Sequence, residues 1–328
     1  MGKRGFKIGA ATGVAMSSAS DHDAAELAAR QLAQADGAQA RGLEVLTYLL
    51  DDPDRALFSD AVVAQVRNMI ADLAYQLLYA RAEAVGTADC AAQAELQTPV
   101  LAGTLKSCDA LVAHCLELAL EHQLCEATAR NGGLDPVLPP ELQSLVADDD
   151  PEVGATAMQV LAAQARFVQA QRRMELGLAD LPADLLHTVL HLWRSNDPDG
   201  NTDTLRLTEE GLRARYDEGA TRLSLHTRLL SIIGRRKRTA LLSLDQAGPS
   251  LFSSALALAI GSSRFQIVSA AAANPLRLSL ALRAAEQDRE VIGATLVTLG
   301  SAPGALTVAV QLLPDVAHSL LRASGRAP

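Results

Sequence analysis

Aromatic residues are nearly missing from this chain: 328 residues hold one Trp, four Tyr and five Phe, 3% of the whole. Hydrophobic residues still make up 49%, so a core has to be assembled from Leu, Ala and Val, which suits closely packed helices. Long alternating Val/Ile/Thr runs bounded by hairpin turns are also missing, which argues against a large sheet. Nor is there an excess of base. Lys and Arg number 29 against 38 Asp and Glu, for a formal net charge of −9 and a pI of about 5.3. That sign disfavours a protein that coats nucleic acid through its overall field and leaves room only for local basic patches. No Gly-rich phosphate loop follows a strand, no serine elbow occurs, and no Cys stands beside a base. Catalysis is therefore unsupported and no cofactor is implied.

Cysteine is scarce as well. Cys108, Cys115 and Cys125 fall in one predicted helix at separations of seven and ten residues, too far along a helix to bridge. Reduced thiols and a cytoplasmic location are the expectation. The longest uncharged run, Val291 to Asp315, is interrupted by Gly300-Ser301-Ala302-Pro303-Gly304 and reads as a buried helical hairpin instead of a membrane span. The opening MGKRGFKIGAATGVAM has the basic start of a signal peptide, but its glycines and lack of leucine favour a disordered leader over residues 1–20.

What is present is helical periodicity. Ser59 is an N-cap candidate for a long helix to Val85 with Val62, Val66, Met69, Leu73 and Leu77 on one stripe. Breaks are expected at Gly86-Thr87 and at Thr98-Pro99, with a second long helix over Ser107 to Arg130. Asp21–Asp36 and Gln39–Asp52 read as two shorter helices, so residues 21–138 form a helical bundle. Asn131 to Pro140, NGGLDPVLPP, cannot continue a helix and marks a domain edge. Beyond it, Asp148 to Asp150 supply caps, Pro151 fits a first helical position, and Val153, Ala157, Val160, Leu161 and Val168 follow at helical period. This aspartate-rich start with a small apolar stripe resembles the second helix of a HEAT-type repeat. The fold expected is all-α: the bundle, then a HEAT-like helical-hairpin array over 139–325. Within it, Ser195–Thr204 is a polar loop, Arg235–Arg238 a connection, and Thr239–Asp245 a helix.

The segment Leu251 to Ala285, with LFSSALALAIGSSRFQIVSAAAAN and LALRAA, resembles the C-terminal part of an alphaproteobacterial helical family of unknown function. The resemblance covers about the last third of the chain. It implies a bacterial cytoplasmic protein of helical-repeat fold and transfers no catalytic residue.

Several constellations are candidates for chemistry. Asp184, His187 and His191 share one helix face opposite Leu186, Val189, Leu190 and Trp193, a face that either is simply solvated or chelates a metal. Ala257, Gly261 and Ile267 stand at helix-turn-helix spacing, so that Ser263, Arg264 and Gln266 would open a DNA-reading helix near 255–272. A plain helical hairpin uses the same spacing. Arg235, Arg236, Lys237 and Arg238 form a patch for an anion or an acidic partner. His187 and His226 are the candidate phosphoacceptors, Cys108, Cys115 and His122 form a seven-residue stripe, and Asp197, Asp199, Asn201 and Asp203 alternate as in a calcium loop whose glycine is misplaced. Taken together, the residues favour a non-catalytic protein-binding or regulatory adaptor, a homodimer through the long N-terminal helices. A DNA-binding regulator is the alternative.

Overall fold

A computed structural model describes residues 24–34, 37, 46, 59–196, 202–301 and 309–324. Every regular element among the described residues is a helix, as the missing strand signals require. After a first helix over 24–34 (α1) come α2 (Asp60–Val85), α3 (Cys90–Leu105), α4 (Asp109–Gly132), α5 (Pro140–Val146), α6 (Pro151–Arg172), α7 (Ala183–Ser195) and α8 (Thr202–Arg215). The second half holds α9 (Arg222–Ile232), α10 (Arg235–Ala240), α11 (Leu244–Ile260), α12 (Arg264–Ala273), α13 (Pro275–Ala284), α14 (Arg289–Thr298) and α15 (Pro314–Ser324).

Local chemistry accounts for most boundaries. The predicted stripe Val62, Val66, Met69, Leu73 and Leu77 is the buried face of α2, and Gly86 ends that helix in the left-handed conformation at φ 76°. Asp150 caps α6 by accepting from the Glu152 N–H, with Pro151 in the first turn. Asp135 accepts from the Val137 and Leu138 N–H groups and so turns the chain between α4 and α5.

The expected break at Thr98-Pro99 does not occur. Pro99 lies inside α3, where the Thr98 hydroxyl donates to the Ala94 carbonyl and the helix lies along α2, so tertiary packing overrides the proline's local cost. Arg235–Arg238 is likewise no plain connection, because it forms the short helix α10. The expected helix Thr239–Asp245 gives way to the start of α11, which is interrupted at Gly248 (φ 67°, ψ 161°) and restarts at Pro249. Residues 1–20 and 39–45, and most of the calcium-loop candidate, lie outside the described residues.

Three apolar clusters make the core. The first joins α2, α3, α4 and α7 with Phe167 and Val168 of α6; the second joins α5, α6 and α9 with α11 to α14. The third sets Ala24, Ala28 and Leu32 of α1 against Leu276 and Leu280 of α13 and Ala317 of α15. The Asn131–Pro140 segment does end a helix, but the clusters do not divide there. α4 packs against α11 and α12 as well as α2, and α6 contributes to both larger clusters. No single described helix is long and apolar enough to cross a membrane.

Candidate functional site

Two places concentrate chemistry: a charge cluster sealed in the middle of the molecule, and a groove open to solvent above α11.

The cluster is centred on Glu121 of α4, which is 0% exposed. Arg222, the first residue of α9, meets it with both guanidinium ends: Nη1 donates to Oε1 at 2.5 Å and Nη2 to Oε2 at 2.8 Å. Such a fork is the strongest way to pair a carboxylate. The Arg222 guanidinium also lies 3.7 Å from the centre of the Phe167 ring and donates to Gln164 Oε1. Arg264, the first residue of α12, donates to Glu117 Oε1 at 2.5 Å, and its Nη2 lies 2.8 Å from Glu121 Oε2. Ser250, just past the Gly248 break, donates its hydroxyl to Glu121 Oε1 at 2.5 Å and accepts from Gln164 Nε2. Ser254, one turn on, accepts from Arg264 Nε and lies 3.0 Å from His226 Nδ1. Two carboxylates and two guanidiniums thus balance and tie α4 to α9 and α12, while Ser250 ties in α11.

Electrostatics follow from that balance. Burial alone would raise the Glu121 pKa, but Arg222 and Arg264 overcome it and hold the carboxyl below its ordinary range. Burial also opposes the charge on Arg264, and Glu121 and Glu117 overcome it, raising its pKa. His114 and His226 sit beside these cations. Burial first, then Arg222 and Arg264, lower His114 to about 4 and push His226 well below its ordinary value. Burial raises the thiols of Cys115 and Cys125 to about 12, so neither is a nucleophile in the folded protein.

The geometry reassigns several sequence candidates. Arg264 is turned inward and engaged by two glutamates, so its guanidinium has no route to a base edge. Ser263 caps α12 by accepting from the Gln266 N–H, and Gln266 Oε1 accepts from Ser262. The 120° turn between α11 and α12 and the left-handed Gly261 do have helix-turn-helix geometry. Yet Ile267, Val268, Ser269 and Ala270 of the would-be reading helix are buried, against α4 and α13. Asp184, His187 and His191 do share an exposed face, but Arg213 Nη2 lies 3.2 Å from His187 Nδ1 and Arg194 Nη2 lies 3.4 Å from His191 Nδ1. Guanidiniums at those nitrogens oppose a divalent cation, and no cluster of three or more His, Cys, Asp or Glu able to hold a metal occurs among the described residues. His226 is too deeply buried to accept a phosphoryl group.

The groove, of about 660 Å³, runs along α11. Ala255, Leu258 and Ala259 of α11, with Leu230 and Leu242, supply apolar lining. Arg235, Arg238 and Thr239 of α10 also line it, as do Ala284, Ala285, Glu286 and Gln287 at the end of α13 and just after it. Leu258 is 54% exposed there. The basic run is therefore divided in use: Lys237 turns away to pair with Asp148, while Arg235 and Arg238, one helical turn apart, face the groove. Sequence reading found these arginines but missed Glu121, Arg222 and Leu258. Glu117 and Glu121, spaced one turn apart in an otherwise leucine-rich helix, were the available signal for the buried cluster.

No protein-family model, curated protein or solved structure matches the chain.

Proposed function

We propose that this protein works without catalysis, as a regulatory adaptor that holds a protein partner on its helical surface. The observation that carries the reading is the groove over α11. It sets the exposed aliphatic side chains Leu258 and Ala259 beside polar groups of α10 and of the turn after α13, the mixed apolar and polar surface that protein interfaces use. The groups with strongly shifted pKa values, by contrast, are enclosed in the core and line no opening of comparable size. Arg264's engagement with Glu117 and Glu121 weighs against the DNA-binding alternative.

The test compares wild type with Leu258→Asp as bait for proteins of the source cell. Because Leu258 is 54% exposed, the variant should keep its helical circular dichroism and melting temperature. A partner retained stoichiometrically by wild type and lost by the variant is the expected result. Identical retention by both would remove the groove from the function.

A further inference from the structure

We infer that the occupant of the α11 groove is an acidic amphipathic helix of a partner protein, an inference that rests on the adaptor reading and specifies its partner. Three features point to that chemistry. The floor is aliphatic, and Leu258 and Ala259 present it to solvent on consecutive positions of one helix. A helix laid alongside would cover them with residues at i, i+3, i+4 and i+7.

The charge on α10 comes next. Arg235 and Arg238 are exposed and have no ion pair or side-chain hydrogen bond with any described residue, although the chain carries 38 acidic residues. Like charges three residues apart on one helix repel, and their own α10 neighbour Lys237 shows that a carboxylate was within reach of this helix. Two guanidiniums left unneutralised beside an apolar floor match acidic side chains flanking the apolar stripe of an incoming helix.

The third feature is what the groove lacks. Its polar groups come from two separate elements, Arg235, Arg238 and Thr239 from α10 and Glu286 and Gln287 from the turn after α13. A small-molecule site instead converges a few polar groups on one buried point. Glu286 comes from the second of these elements, so a docked helix has a preferred rotation: its acidic edge lies toward α10 and a basic or neutral edge toward Glu286.

The probe is a designed fluorescein-labelled helical peptide with leucines at i, i+4 and i+7 and Asp/Glu on one flank, titrated against the full chain by fluorescence anisotropy. Wild type should bind it in a salt-sensitive manner, and Arg235→Glu with Arg238→Glu should weaken binding by about tenfold or more. A peptide with lysines in place of the acids should show the reverse preference. Failure of wild type to bind the acidic peptide, or equal binding by the double variant, overturns the inference. So does binding of vesicles rich in phosphatidylglycerol that the same two substitutions abolish, or self-association that they abolish, since the groove would then hold a lipid surface or a second copy. The adaptor reading is tested separately: a natural partner lost with Leu258→Asp but kept by the arginine variant leaves the groove a docking site and refutes only its acidic occupant, whereas identical retention by wild type and Leu258→Asp refutes the adaptor reading itself.

Discussion

Glu121 is a fully buried carboxylate whose partners arrive from three other helices, Arg222 on α9, Ser250 on α11 and Arg264 on α12. Breaking such a cluster on one side costs more than the cluster contributes, because the surviving charges stay buried without compensation. Glu121→Gln leaves Arg222 with no carboxylate and should destabilise the fold by about 3 kcal/mol or more in urea denaturation. A loss below 1 kcal/mol would mean that Arg222 finds water or another acceptor. The neighbouring histidines add a pH dependence with a definite sign. His114 has an ordinary value of 6.5 and a folded value of about 4, and His226 is shifted the same way. The unfolded chain therefore takes up protons that the folded chain refuses. This contribution to stability is intact above pH 6.5 and falls as pH drops toward 4, by up to roughly 1.4 kcal/mol per pH unit for each histidine. Calorimetric melts across that range should show the decline, and His114→Leu should make it shallower. Beyond the one-turn spacing of Glu117 and Glu121, none of this was legible in the sequence, because Glu121 and Arg222 are 101 positions apart. A charged residue on a helix reads as solvated until its tertiary partner is known.

Gly248 shows how one element places the site. Its φ of 67° and ψ of 161° break α11, a conformation essentially reserved for glycine. A Cβ there would stand 3.2 Å from Cβ and Cγ of Pro139. The break lets Pro249 start a new helical run, so that Ser250 reaches Glu121 and Leu258 reaches the surface. Gly248→Ala should cost about 1–3 kcal/mol and, unlike a surface change, should also weaken peptide binding in the groove. An alanine variant as stable as wild type would show that the bend is not required. Capped helices such as α6 were readable because their signals are local: Asp150, Pro151 and the stripe behind them. Pro99 and α10 were not, since packing on α2 carries one helix through its proline, and four consecutive basic residues give no hydrophobic period by which to recognise the other. Leu258 was hidden for a related reason. In LFSSALALAI every residue but the two serines is apolar, and only the neighbours of α11 decide which of them is covered.

For the molecule as a whole, the two larger cores share helices instead of meeting at a linker. α4 supplies Leu111, Val112, Cys115 and Ala119 to the first cluster while its Glu117 and Glu121 hold α9 and α12 of the second half. α6 places Val153, Ala157 and Val160 in the second cluster and Phe167 and Val168 in the first. A boundary at residues 138–139 describes the chain's path but predicts two melting units, whereas shared helices predict one. The lone tryptophan provides the measurement. Trp193 is 3% exposed and belongs to the first cluster, so its fluorescence reports that cluster alone, while far-ultraviolet circular dichroism averages over all helices. In a urea titration the two signals should share one midpoint, and Glu121→Gln should move both together, because the residue it removes is one of the ties between the cores. Separate midpoints, or a variant that shifts only the dichroism, would mean that the first cluster stands without the second and that the charge cluster is a clasp between two independently folding units.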